Sequence, residues 1–157
     1  MVVSVTKPTI WDYPQPFLWP VICSEEHQDK LGHVNNVEYL HWLQEAGWQH
    51  IHHLGYSWDD HQNDGAAMAL VNTNVRYLLA AYAGDHLTVG TWITATDRIR
   101  TRREFQIIRS HDQKTLLRAQ LDYACISLTT GKARRKPTRL AEAHLRSIEQ
   151  AGFFINC

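Results

Sequence analysis

The run Glu25-Glu26-His27-Gln28-Asp29-Lys30-Leu31-Gly32-His33-Val34-Asn35-Asn36 sets carboxylates, imidazoles and carboxamides side by side, between two markedly apolar stretches. A polar loop this short between buried elements is held near the core. Carboxylates and imidazoles are the side chains that acid–base and nucleophilic chemistry uses. Asp29 or Asn35 could equally do no more than cap the following helix, since both residue types accept hydrogen bonds from its first N–H groups. The chain has no G-x-S-x-G and no H-E-x-x-H, so neither a serine nucleophile elbow nor a zinc-peptidase helix competes for the role.

Ten histidines invite a metal reading, with His41, His50, His52, His53 and His61 crowded into one region. His41 and His52 fall on the polar side of the helix described below, and solvated histidines explain the crowding better than a metal site. Cys23, Cys125 and Cys157 are an odd count without C-x-x-C spacing, which favours reduced thiols, with Cys23 and Cys125 as core. Sixteen basic and sixteen acidic side chains cancel, arguing against nucleic acid or an anionic membrane as partner. Any anionic ligand must then be met by a local cluster of cations. No stretch approaches the ~20 apolar residues of a membrane span, and the first residues lack a signal-peptide core, so a cytoplasmic protein is expected.

With 157 residues, 44% of them apolar, the chain suits one domain. Residues 1–14 read as an arm lying over it, 15–137 as the domain, and 138–157 as a short helix and tail. Phe17 to Cys23 looks like a first strand. From Asn35 to Gly55 the period is helical, with Val37, Leu40, Leu43, Gly47, Ile51 and Leu54 on one stripe and Glu38, His41, Glu45, Gln49 and His52 opposite. Gly47 would let the helix approach a packed surface, and Gly55 supplies a carboxyl-terminal cap. After a polar connection from Asp59 to Gly65 the period becomes two. Ala69 to Leu79, Leu87 to Ala95, Arg103 to Arg109 and Leu116 to Leu128 follow as strands joined by short turns. Thr138 is a candidate N-cap for the last helix. Consecutive strands form an antiparallel meander, and one face of it must be covered by the early helix.

The spacing Asp29-x-x-Gly32-His33-Val34-Asn35-Asn36-x-x-Tyr39-x-x-Trp42 resembles the D-x-x-G-H-V-N-N-x-x-Y pattern of the 4-hydroxybenzoyl-CoA thioesterase family of hotdog proteins. Val75-x-Tyr77-Leu78 followed by Gly84-Asp85-x-Leu87 is similar to that family's second and third strands and their Gly-Asp turn. The likeness runs from about Pro16 to Pro137 and includes Gly131 and Arg134-Arg135-Lys136. It implies an α+β hotdog fold, with a five-stranded antiparallel sheet wrapped around one long helix and paired with a second copy as a homodimer or a tetramer. It also implies that Asp29 attacks a thioester or activates water, while N–H groups near Asn35 and Asn36 polarise the carbonyl. Unpaired N–H groups and the positive end of a helix suit a developing oxyanion. His33 is a second catalytic candidate, because plant acyl-ACP thioesterases carry a similar D-x-x-x-H-V-N-N stretch with a functional histidine. Leu31 stands where those enzymes place a polar asparagine. The D-x-N-P-x-H pattern of hotdog hydratases does not match.

Coenzyme A would enter as part of the substrate, with no separate cofactor or metal. Its phosphates need cations, for which Arg98, Arg100, Arg102 and Arg103, then Arg134, Arg135 and Lys136, are candidates. Gly32, Tyr39 and Trp42 are candidates for the acyl end, Tyr39 and Trp42 sharing one edge of the helix. An aromatic-walled pocket would take a compact aryl group, or a betaine-type group through cation–π attraction. The competing readings are an acyl-ACP thioesterase and a hotdog protein that binds an acyl thioester without cutting it.

Overall fold

In the computed structural model, which describes residues 9–153, strand β1 (Phe17–Ile22) leads through a 3-10 turn (Glu25–His27) into helix α1 (Asn36–His53). A second helix, α2 (Trp58–Asp64), precedes four strands: β2 (Ala66–Tyr77), β3 (His86–Thr96), β4 (Arg100–Arg109) and β5 (Lys114–Ser127). Helix α3 (Thr138–Gln150) ends the described chain. The strands pair antiparallel in the order β1-β3-β4-β5-β2. This is the α+β hotdog architecture, one sheet around one long helix, to which two shorter helices are added. The first eight residues of the arm and the last four of the tail, with Cys157, lie outside the described residues.

Helix α1 starts and stops where its capping chemistry dictates. Asn35 accepts a hydrogen bond from Val37 N–H at 3.1 Å. At the other end Gly55 adopts φ +89°, and the N–H groups of Gly55 and Tyr56 return to His52 O and Ile51 O. That left-handed step and its paired bonds form a Schellman closure, with Ile51 and Tyr56 in apolar contact across it.

The buried face of α1 is rotated from the aliphatic stripe. Tyr39, Trp42, Leu43, Ala46, His50 and Ile51 are buried, whereas Val37 is 52% exposed and Leu40 and Leu54 sit at the margins. The aromatic rings remove more area from water than Val37 could, so they decide the orientation. Gly47 does not serve close backbone approach, because a Cβ there would meet only the Arg103 side chain at ordinary distance.

Two more differences are local. The polar connection after α1 contains α2, which Ser57 and Asp60 start through a capping box. Almost wholly polar, it has no apolar period to reveal it. Pro137, and not Thr138, occupies the cap position of α3, without a side-chain bond. Cys23 and Cys125 are buried.

The described part of the arm covers the outer face of the sheet. Trp11 and Tyr13 pack edge-on against Trp92, whose Nε1–H donates to Pro14 O at 2.9 Å, and Arg118 grips Asp12 through Nε and Nη2. Trp11 lies directly on Gly90, where an added Cβ would come within 2.5 Å of its ring. Gly90→Ala is therefore expected to cost about 1–3 kcal/mol through overpacking. Urea unfolding should show a much smaller cost when the same substitution is made in a Trp11→Ala chain.

Candidate active site

The Asp29 loop is a small closed structure at the amino end of α1. Asp29 N–H bonds to His33 O at 3.0 Å, Gly32 N–H to Asp29 O at 3.1 Å, and Gln28 bridges Val34. Gly32 makes the turn at φ +80°, which glycine adopts without steric cost. Asp29 Oδ1 accepts from Leu31 N–H at 2.8 Å and lies 4.0 Å from His33 Nδ1, with both side chains about a third exposed. Val34 N–H bonds to Ala81 O, and Gln28 Oε1 accepts from Ala83 N–H, so the β2–β3 connection holds the loop from beneath.

Asp29, Gly32, His33, Asn35 and Asn36 are thus brought together. Their backbone donors are not equivalent. Asn35 N–H is consumed by His27 O at 2.8 Å, while Asn36 N–H has no acceptor among the described residues. Only the second of the two expected donors is free to polarise a carbonyl.

Tyr39 and Trp42 are packed inward. They are 3% and 9% exposed in the main core, touch each other edge to face, and Tyr39 OH accepts from Ala81 N–H at 3.0 Å. The arginines do not form one patch. Alternation along β4 sends Arg102 outward to Asp122 and Arg103 inward under α1. Lys136 is also buried, donating from Nζ to Thr96 Oγ1, Asp97 O and Arg100 O and so stapling the β3–β4 turn. Burial lowers its pKa to about 8. Arg98, Arg100, Arg134 and Arg135 stay exposed, and the Lys136 N–H to Arg98 O bond lays their two segments side by side.

A cavity of about 240 Å³ lies near this turn, under the carboxyl-terminal half of α1. Trp48, Ile51, Met68 and Leu70 form its apolar side, and Thr101, Arg103, Tyr123, His61 and His144 its polar floor. Of these residues, Arg103 is a phosphate candidate from the sequence, and His61 belongs to its histidine-rich region. His144 arrives from α3 and Tyr123 from β5, and no local spacing relates them. Within one chain the cavity and the Asp29 loop lie toward opposite ends of β3, whose eleven residues span about 35 Å.

The histidine cluster is not uniformly solvated. His50 accepts from Arg103 Nη1 at 2.7 Å, and burial together with the Arg103 charge pushes its pKa down to about 2. His144, bonded through Nδ1 to Thr101 Oγ1 at 2.9 Å, is lowered mainly by burial, as is His61.

A family model for the thioesterase-like superfamily matches residues 24–144. The chain belongs to this superfamily. The long-chain acyl-CoA thioesterase FadM of Escherichia coli is 29% identical over 108 residues, covering 68% of this chain and 80% of that protein. Among solved structures, a 1,4-dihydroxy-2-naphthoyl-CoA thioesterase from Synechocystis superposes with a TM-score of 0.76 at 23% identity, over 83% of this chain and 96% of that one. A Staphylococcus aureus protein in complex with CoA reaches 0.82 at 15% identity, covering 91% and 90%. Superfamily membership makes the chain a thioester hydrolase by family, and the structural likenesses carry the fold.

The buried neutral histidines make stability depend on pH. Their folded pKa values lie below the unfolded 6.5, so their contribution is complete above about pH 6.5 and is lost on acidification. Urea titrations should show stability falling below pH 6.5 with a slope approaching about 1.4 kcal/mol per pH unit for each such histidine. In His50→Gln one histidine's share of that slope should disappear.

Proposed function

We propose that the protein hydrolyses a compact acyl-CoA to free acid and CoA, as a homodimer whose two sites each use both copies. The observation that carries this reading is the superfamily match across a chain that presents Asp29, His33 and the Asn36 N–H together at the start of α1. Asp29 supplies the carboxylate that attacks the thioester carbon or delivers water to it. The Asn36 N–H, at the positive end of α1, stabilises the oxyanion that develops.

The free edge of β2 supports the two-copy arrangement. Leu70, Val71 and Tyr77 are exposed along it, with Leu78 and Leu79 just beyond, and an unpaired apolar edge of this length calls for a partner. Tyr77 OH donates to Asn36 O at 3.1 Å, tying the far end of β2 to the Asp29 loop, while Met68 and Leu70 at its near end line the cavity. Antiparallel pairing of two β2 strands about a two-fold axis brings the Asp29 loop of one copy to the cavity of the other. The Asp29-to-cavity separation within a single chain is then no obstacle.

The cavity is smaller than the roughly 300–1,000 Å³ of whole-ligand pockets, which suits the acyl end of a CoA ester with the nucleotide outside. Arg103 in its lining argues against the betaine alternative, because a quaternary ammonium would face a like charge. Arg98, Arg100, Arg134 and Arg135 are the exposed cations suited to the phosphates; Arg102 is paired with Asp122, Lys136 is buried in the β3–β4 turn, and Arg103 lies buried under α1.

Asp29→Asn should retain the melting temperature, since the amide oxygen can still accept from Leu31 N–H, yet lose at least about two orders of magnitude in kcat. Thiol release from a panel of acyl-CoAs, run beside a thermal melt, measures both. Near-normal turnover would leave Asp29 as a loop former only. For Arg98→Gln with Arg100→Gln, KM for the best acyl-CoA should rise while kcat is largely spared, because phosphate contacts stabilise ground and transition states alike. The same acyl group on pantetheine should be insensitive to the change.

A further inference from the structure

The floor of the cavity carries a cation that none of the described residues neutralises. Arg103 is 5% exposed, and no carboxylate pairs with it among the described residues. Its bonds come from Nη1 alone, to His50 Nδ1 at 2.7 Å and Thr91 Oγ1 at 3.3 Å. Both acceptors are neutral, His50 because its pKa is driven down to about 2. Burial lowers the Arg103 pKa to about 10, which still leaves the guanidinium charged at neutral pH.

Three other arginines of the same sheet show what such a group accepts. Arg102, Arg109 and Arg118 each hold an aspartate through Nε and Nη2, the side-on fork that matches the two oxygens of a carboxylate. On Arg103 the same Nε and Nη2 donors have no acceptor among the described residues, although the side chain lines the cavity. Gly47, opposite Nε on α1, places no side chain over that fork. A buried charge without a counter-charge is costly, and a ligand that brings one is held strongly. The rest of the cavity fits such a ligand, since its apolar side suits a short carbon skeleton.

We propose that this cavity seats an acyl group whose far end bears a carboxylate, bound by the Nε and Nη2 fork of Arg103, so that the preferred substrates are monothioesters of dicarboxylic acids. The location of the thioester end rests on the hydrolase reading above; the carboxylate seat rests on Arg103 itself.

The test compares ω-carboxyacyl-CoAs, such as the succinyl, glutaryl and adipyl esters, with straight-chain acyl-CoAs of matched length. For the wild-type protein kcat/KM should favour the best carboxylated ester by at least about 100-fold, because a site built around a polar group rejects the analogue that lacks it. Arg103→Met should reduce that ratio to below about 10-fold, and Arg103→Lys, which keeps the charge but loses the fork, should fall between. Wild-type protein that cuts the neutral esters as well as the carboxylated ones overturns the proposal without recourse to any variant, and leaves the hydrolase reading intact. A second arm measures calorimetric binding of the matched pantetheine amides, which lack the thioester. If no thioester is cut but the carboxylated amide binds preferentially and Arg103→Met removes the preference, the hydrolase reading fails and the carboxylate seat stands. If neither arm shows a preference, the seat does not exist.

Discussion

Ala81 is wholly buried, and both of its backbone polar groups are used to join parts of the chain that are distant in sequence. Its N–H donates to the phenol oxygen of Tyr39 on α1, and its carbonyl accepts from Val34 in the Asp29 loop. A buried backbone group left unpaired would cost a few kcal/mol, so the β2–β3 connection, the first turn of α1 and the loop are locked into one arrangement. Trp42 extends the lock by packing against Tyr39 on one side and His27 on the other. The orientation of Asp29 relative to the Asn36 N–H depends on this node. It also explains why Tyr39 and Trp42 belong to the core: they position the loop from behind.

The opposite end of the helix is organised differently. There the core is polar, and β4 changes character along its length, from Phe105 and Ile107 under the first half of α1 to Thr101 and Arg103 under the second. His50 and Thr91 take one edge of the guanidinium, and Phe17 stacks on His50 at 4.9 Å, holding the imidazole in place. Hydrogen bonding to neutral acceptors compensates part of the cost of burying the charge and leaves the remainder for whatever enters the cavity. An apolar end that fixes geometry and a polar end that leaves a charge open to the cavity are joined by a single helix.

The arrangement of strands and long helix was legible because each element advertises itself with a period: two along β2 to β5, 3.6 along α1. The Asp29 loop was legible because its residue types are dense and contiguous. What escaped was whatever depends on contacts between distant segments. Arg102 and Arg103 are neighbours in sequence and lie on opposite faces of a strand whose register could not be assigned beforehand. The rotation of α1 followed from the bulk of Tyr39 and Trp42, which a stripe of Val37 and Leu40 obscured. His50 and His61 looked like surface histidines, because a polar core leaves no hydrophobic signature. His144 could not be tied to the cavity until α3 was seen to fold back beside Thr101.

Strand β2 pairs within the chain only with β5, from Ala66 against Ser127 to Tyr77 against Leu117. Strands β3, β4 and β5 can zip into hairpins as soon as each is made, but β2 must wait for β5 with both of its edges open. During synthesis that interval is the dangerous one, since an exposed strand carrying Leu70, Val71 and Val75 can recruit the same strand of another nascent chain. Asn72, Asn74 and Arg76 interrupt the apolar run at alternate positions, and a bulge between Leu70 and Asn72 breaks its regularity. These features interrupt a flat, sticky ribbon and act as gatekeepers for a chain whose sheet closes last where it began second.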